Sequence, residues 1–183
     1  LYLLLRKRGG TWDFLHDSVH IGFQTLPGGS RTADRAPGIL FSQPIQFLLQ
    51  IKGAAAAHLY VLSAYDQHTY RWGAVQRYVE FDARYPDPSQ GLFLPWKLLL
   101  SYPLVLPLTG QLIPAEEVEI GVLRMGITDP DSPAYDDLAD WYARHDILEV
   151  RIPWMMLGFT DPSSPFVWNW PYAAGKLEPF PTA

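Results

Sequence analysis

The stretch Ile147-Leu-Glu-Val-Arg-Ile-Pro-Trp-Met-Met-Leu-Gly158 decides the fold of this chain. Apolar and charged residues alternate from 148 to 152, which is the two-residue period of a strand with one buried face and one exposed face. Pro153 cannot donate a hydrogen bond to a sheet, and Gly158 permits a change of direction. The pattern predicts a half-buried strand that ends at Pro153 and is followed by apolar residues, Trp154 among them, packed over the end of the core.

Further apolar segments of similar length occur along the whole chain, and they are separated by turn residues. The chain has 17 Pro and 14 Gly, which indicates many short elements with many corners. We therefore predict an all-β fold, an antiparallel two-sheet β-sandwich of the jelly-roll or immunoglobulin-like kind. The predicted strands are residues 1–6, 19–23, 45–51, 59–64, 116–125, 147–152 and 166–170.

For two of these strands and two of the connections, the sequence predicts more specific structure. Residues 45–51 and 59–64 are almost continuously apolar, so they should pair antiparallel in the middle of a sheet that is covered on both faces. Residues 26–38 are rich in Gly, Pro and polar residues and should form an exposed loop. In residues 134–144, Leu138 precedes Trp141 and Tyr142 by three and four positions, which predicts one short amphipathic helix.

The length of 183 residues fits one domain, residues 1–183. Because the chain already reads as a strand at Tyr2, we expect a C-terminal fragment of a larger protein, with any export signal upstream. The most apolar run, residues 98–108, contains two prolines and falls short of the roughly 20 residues of a membrane helix. No membrane span is expected.

The charge and composition exclude several classes of function. The net charge is −5, the pI is about 5.4, and the one basic cluster is residues 6–8, which argues against a nucleic-acid surface. The chain has no Cys, so disulfides and thiolate chemistry are absent. It also lacks a serine nucleophile elbow, a phosphate loop and a dinucleotide fingerprint, so we expect no catalytic activity in this chain.

Aromatic residues are abundant, with 7 Trp, 10 Tyr and 9 Phe, and two segments could present them to a sugar. Aromatic rings stack on the apolar faces of pyranose rings while nearby polar groups hold the hydroxyls. The alternatives are that Tyr70 and Trp72 belong to the core and that the tryptophans near the C-terminus pin the end of the chain. The candidate residues are Asp66, His68, Tyr70 and Trp72, which share one face of an extended segment, and the pair Trp168 and Trp170.

An acidic region supplies carboxylate oxygens that a calcium ion would accept. Its candidate metal ligands are Asp129, Asp131 and Asp136. The spacing matches no known calcium loop, so the alternative is an ordinary solvated loop.

Three stretches together resemble a known class of sandwich domain: Ile21-Gly-Phe-Gln-Thr-Leu-Pro-Gly28, Tyr135-Asp-Asp-Leu-Ala-Asp-Trp-Tyr142, and residues 148–158 with their Ile-Pro-Trp ending. They resemble the family-9 carbohydrate-binding modules and the wider DOMON-type superfamily, and also accessory domains of large bacterial surface or glycoside-processing proteins. The resemblance covers about a quarter of the chain. It implies a two-sheet antiparallel sandwich, no catalysis, an extracellular or cell-surface location and, in some members, structural calcium.

The sequence thus predicts a non-catalytic accessory module that binds a polysaccharide or oligosaccharide through exposed aromatic side chains. The alternative is a structural module that packs against upstream domains of the same polypeptide in an extracellular glycoside-processing protein.

Overall fold

The computed structural model describes residues 1–53, 57–66, 87–161, 163–169 and 178–181. Strands dominate this part of the chain, with short 3₁₀ helices at Ser63–Tyr65, Pro88–Gln90 and Trp154–Leu157. No helix within these ranges has the length and apolar character that a membrane crossing requires. The strands are β1 (Tyr2–Arg6), β2 (Ser18–Phe23), β3 (Phe47–Lys52), β4 (Ala57–Leu62), β5 (Phe93–Pro95), β6 (Lys97–Ser101), β7 (Leu104–Val105), β8 (Leu112–Ile113), β9 (Glu116–Glu119), β10 (Val122–Leu123), β11 (Trp141–Arg144), β12 (Ile147–Arg151), β13 (Phe159–Asp161), β14 (Ser164–Asn169) and β15 (Glu178–Pro181).

In the described part of the chain, the strands form one five-stranded sheet, two three-stranded sheets and two two-stranded sheets. Sheet I has the order β1-β12-β11, and sheet II has the order β10-β4-β3-β2 with β5 also paired to β4. The remaining sheets are β13-β14-β15, β6-β9 and β7-β8. Every pair of these strands is antiparallel. The predictions of an all-β chain, of antiparallel strands and of a β3–β4 pair are confirmed.

Strand β12 is the middle strand of sheet I, and its alternation is as predicted. Leu148, Val150 and Ile152 are 0 %, 2 % and 0 % exposed, whereas Glu149 between them is exposed to solvent. Burying such an apolar side chain contributes about 1.5–3 kcal/mol. The strand is therefore anchored through one face, and its other face is free to carry polar groups.

Sheets I and II contribute side chains to the same apolar core. Leu49 and Leu59 of sheet II belong to one buried cluster with Trp141 and Leu148 of sheet I, and Val167 of β14 joins them. The two sheets thereby share a core.

A second buried cluster covers the opposite face of sheet II. It contains Leu48 of β3, Leu62 of β4 and Phe93 of β5, together with Ala33 and Ala36 from the long connection before β3. The prediction that this sheet is covered on both faces is confirmed, because β3 has buried side chains on each side.

The connection at residues 26–38 is irregular, as predicted, but it is not simply exposed. Gln46 is fully buried, and its side-chain carbonyl accepts hydrogen bonds from the backbone N–H groups of Thr25 and Leu26. Its amide donates to the carbonyls of Leu26 and Gly28. These four bonds satisfy the buried amide and hold the start of the loop against the sheet.

The prediction of a short helix at residues 134–144 is wrong. Residues 134–140 form turns, and residues 141–144 are strand β11, in which Trp141 pairs with Val150. The Asp136 carboxylate accepts a hydrogen bond from the Leu138 backbone N–H at 3.1 Å, an arrangement typical of a turn. Burial of Trp141 in sheet I outweighs the weak helical spacing.

Two other segments differ in detail. The strand predicted at residues 116–125 is divided into β9 and β10, because the Trp96 carbonyl accepts hydrogen bonds from both the Ile120 and the Gly121 backbone N–H groups.

Of the apolar residues after Pro153, Leu157 is buried, whereas Trp154 is 38 % exposed and meets Phe159 edge to face at 4.6 Å. The packing predicted for Trp154 is therefore partial.

Candidate functional site

The outward face of sheet I carries polar and aromatic side chains in matched rows. Directly paired residues of antiparallel strands point to the same face, so Glu149 lies between Leu4 of β1 and Tyr142 of β11. Arg151 lies beside Tyr2 in the next row. Tyr2 is 80 % exposed and Leu4 is 65 % exposed, so solvent reaches this face.

Residues 124–140 form a loop beside this face, and contacts within the loop fix its shape. The Asp140 carboxylate accepts a hydrogen bond from the Arg124 backbone N–H at 3.0 Å, and the Arg124 guanidinium lies 2.9 Å from the Asp136 carboxylate. An added Cβ at Gly126 would lie 2.6 Å from Asp136 Oδ2 and 2.8 Å from Ala139 Cβ. The close turn of this loop therefore depends on glycine at position 126.

The loop is tied to sheet I at two points. Thr128 Oγ1 donates a hydrogen bond to Glu149 Oε2 at 2.9 Å. Arg151 Nη2 donates to the backbone carbonyl of Asp137 at 3.2 Å. Because both the acceptor and the donor on the sheet belong to β12, the loop is positioned against the middle strand of sheet I.

Two surface cavities lie between the loop and the sheet, and we call them together the sheet I groove. The first has a volume of about 410 Å³ and the second about 350 Å³. Thr128 and Glu149 line both cavities. The first cavity is also lined by Tyr2, Leu4, Tyr135, Asp136, Asp137, Asp140 and Arg151, and the second by Asp129, Tyr142, Arg144, His145, Asp146 and Ile147.

The first cavity is acidic. Asp136, Asp137, Asp140 and Glu149 line it together with the single cationic residue Arg151. Asp136 is paired with an arginine of the loop, and Arg151 lies 3.8 Å from Asp140. Within the described part of the chain, no cationic side chain lies within 4 Å of the Asp137 or Glu149 carboxylate, so both are available as hydrogen-bond acceptors.

This combination of groups suits a polyhydroxylated ligand. The exposed rings of Tyr2 and Tyr135 offer flat apolar surface, and carboxylates and a guanidinium beside them offer acceptors and donors for hydroxyl groups. Both volumes fall within the range of about 300–1,000 Å³ that is usual for small-molecule sites. The groove therefore offers both flat apolar surface and hydrogen-bonding groups.

The first candidate surface from the sequence is only partly within the described residues. Asp66 lies directly after a 3₁₀ helix and is 2 % exposed. It lines neither cavity. His68, Tyr70 and Trp72 fall outside the described residues. The sugar contacts predicted for these four residues stay predictions.

The side chains of the second candidate surface also lie outside the described residues. Trp168 belongs to β14, where its backbone pairs with Pro179, but its side chain lies outside the described part of the structure. Trp170 is outside the described residues altogether. The platform of two indole rings stays a prediction.

Two of the three aspartates proposed as metal ligands, Asp129 and Asp136, have other partners for their carboxylates. The Asp129 carboxylate accepts a hydrogen bond from the Asp131 backbone N–H at 3.1 Å and lies 4.0 Å from Arg144. Asp136 is paired with Arg124. Across the described ranges, no group of three or more His, Asp or Glu side chains is arranged to hold a metal ion.

The groove itself was not found from the sequence, although one signal pointed toward it. The alternation in β12 assigns Glu149 and Arg151 to the exposed face, and Tyr2 has the matching position in the first strand. Tyr135 and Asp137 carry no such signal, because they lie in irregular loop structure.

No family model matches this chain, and neither a curated protein nor a solved structure matches it.

Proposed function

We propose that this chain is a non-catalytic accessory module that binds carbohydrate in the sheet I groove. Its architecture is a two-sheet β-sandwich of the jelly-roll or immunoglobulin-like kind, and a core shared by sheets I and II supports this. Its setting is a larger protein that acts outside the cell or at its surface.

The observation that carries the proposal is the exposure of two tyrosine rings beside two carboxylates that have no cationic partner among the described residues. Tyr2 is 80 % exposed and Tyr135 is 50 % exposed, and both line a cavity that also contains Asp137 and Glu149. Covering a solvent-exposed ring with the face of a sugar lowers the free energy of the complex, because apolar surface is removed from water. The carboxylates accept hydrogen bonds from the sugar hydroxyls.

Affinity electrophoresis and pull-down of the chain with soluble and insoluble polysaccharides test this function. The panel contains cellulose, mixed-linkage glucan, xylan, mannan and chitin. Tyr2→Ala combined with Tyr135→Ala should weaken binding at least tenfold, a loss of about 1.4 kcal/mol. The matched control is Tyr102→Ala, since Tyr102 is 48 % exposed but lines neither cavity. Retention of none of the polysaccharides, or equal losses in the control, would contradict the proposal.

A second candidate, packing against another domain, is favoured by an apolar surface on a different part of the chain. Strands β6, β7 and β8 and the turn between β7 and β8 expose large apolar side chains, and residues 102–114 contain no charged residue. The exposed residues are Leu98, Leu100, Leu104, Val105, Leu108, Leu112 and Ile113.

Sedimentation over a range of concentrations tests this second candidate. An isolated chain with an uncovered packing surface should self-associate, and Leu104→Asp with Leu112→Asp should abolish the association. A chain that stays monomeric at every concentration would argue against a packing role for this surface.

A further inference from the structure

The two cavities of the sheet I groove repeat the same set of chemical groups. Each contains a tyrosine ring, at least one carboxylate and one arginine guanidinium. Each can therefore stack against one sugar ring and also donate and accept hydrogen bonds at its edge. The corresponding groups are Tyr135, Asp137 and Arg151 in the first cavity, and Tyr142, Asp129 and Arg144 in the second.

The cavities adjoin each other along one strand. Thr128 and Glu149 line both, so the hydrogen bond between them marks the boundary. Strand β12 runs along the floor from Arg151 in the first cavity to Ile147 in the second, which is four residues or about 13 Å. This floor is longer than a single pyranose ring.

Residues at both ends of the groove are exposed to solvent. Tyr2 at the far end of the first cavity is 80 % exposed. The Arg144 side chain in the second cavity is 64 % exposed. A site that reads the end of a sugar chain needs a closed wall, whereas a groove with two open ends lets the chain continue in both directions.

We infer that the sheet I groove binds an internal stretch of a glycan chain, with successive sugar units in the two cavities and their linkage over the Thr128–Glu149 hydrogen bond. This inference rests on the proposed carbohydrate function and specifies its ligand as an oligosaccharide chain rather than a single sugar or a chain end.

Calorimetric titration with oligosaccharides of increasing length tests the inference. The probes are cello-, xylo-, manno- and chito-oligosaccharides of one to six units. For a ladder that binds, the affinity should rise at least tenfold between one unit and three, and it should then level off. Reduction of the terminal sugar of the six-unit probe, which opens that ring, should change its affinity less than twofold.

Variants of the second cavity separate the two subsites. Arg144→Ala should lower the affinity for the six-unit probe at least fivefold and should lower the affinity for the single sugar by less, because a single sugar can still occupy the first cavity. Tyr142→Ala provides a second test of the same cavity. Arg8→Ala is the control, because Arg8 lines neither cavity. Denaturation midpoints confirm that each variant is folded.

The outcomes are distinct. An affinity that is the same from one unit to six, or a tenfold loss on reduction of the terminal ring, overturns the inference and leaves the proposed carbohydrate binding intact. Failure of all four ladders to bind removes the proposed function and the inference with it.

Discussion

Thr128 Oγ1 and Glu149 Oε2 lie 2.9 Å apart and join a loop to the middle strand of sheet I. Glu149 projects outward between two buried neighbours, so the packing of β12 fixes the backbone from which its side chain extends. The loop therefore takes its position from the strand, and the shape of the groove depends on this bond.

Removal of the Thr128 hydroxyl should loosen the loop. Thr128→Val keeps the shape of the side chain but loses the donor, so the free energy of unfolding should fall by about 0.5–1.5 kcal/mol. Urea denaturation measures this change, and amide exchange of residues 124–140 should accelerate. Thr128→Ser retains the hydroxyl and is the control. A Val variant with unchanged exchange in the loop would show that the bond does not hold it.

The two faces of sheet I should respond very differently to the same substitution. Leu148→Ala creates a cavity at a fully buried site and should cost about 2–5 kcal/mol of unfolding free energy. Leu4→Ala alters a side chain that is 65 % exposed and should cost about 0.5 kcal/mol or less. Chemical denaturation compares the two. Equal losses would contradict the assignment of inner and outer faces.

The pKa values of two histidines should be shifted in opposite directions. The hydrogen bond that His16 donates to the Asp13 carboxylate raises the pKa of His16, whereas burial, and secondly the charge of Lys52, lower the pKa of His20. NMR titration should give a midpoint above the ordinary value of about 6.5 for His16 and below it for His20. Asp13→Asn should return His16 toward 6.5 and leave His20 unchanged.

These shifts fix the sign of their effects on stability. The contribution of His16 is fully present below pH 6.5, where the unfolded side chain is also protonated, and it is lost as the pH rises through the raised pKa. The contribution of His20 is present above pH 6.5 and is lost as the pH falls through the lowered pKa. A His16 midpoint that is insensitive to Asp13→Asn would contradict the stated cause.

The acidic first cavity should discriminate among glycans by charge. Four carboxylates line it with one guanidinium, so uronic-acid polymers such as polygalacturonate should bind at least tenfold more weakly than neutral polysaccharides. Added salt should reduce this difference, because it screens the repulsion. Asp137→Asn should also reduce it, and Asp131→Asn, at a position that lines neither cavity, is the control. Preferential binding of polygalacturonate would refute this electrostatic argument.

The sequence predicts local structure well where burial follows a simple period. Alternation at residues 148–152 indicates both the strand and its buried face, and the continuous apolarity of residues 45–51 indicates a strand covered on both sides. The period fails at residues 134–144. There Leu138 is 62 % exposed while Trp141 is fully buried, so the helical spacing of these two residues reflects no common face.

The groove could not be predicted because its parts are distant in the chain. Tyr2 and Arg151 are neighbours across β1 and β12, and Tyr135 comes from a loop whose course is set by aspartate side chains. Periodicity reports which side of a strand is buried, but it does not report which strands pair. The sequence therefore indicates an exposed polar face at Glu149 and Arg151 without indicating what lies beside it.

The pairing of β1 with β12 has a consequence for the order of folding. The Leu1 backbone nitrogen donates a hydrogen bond to the Ile152 carbonyl, so contacts that close sheet I span about 150 residues of chain, whereas β2, β3 and β4 pair with near neighbours. Closing so long a loop is slow, because its entropy is lost before the contacts are gained. During synthesis on the ribosome, β1 cannot form its hydrogen bonds to β12 until residues 147–151 have emerged. The groove is then among the last features to mature, and ligand binding reports on a chain that has finished folding.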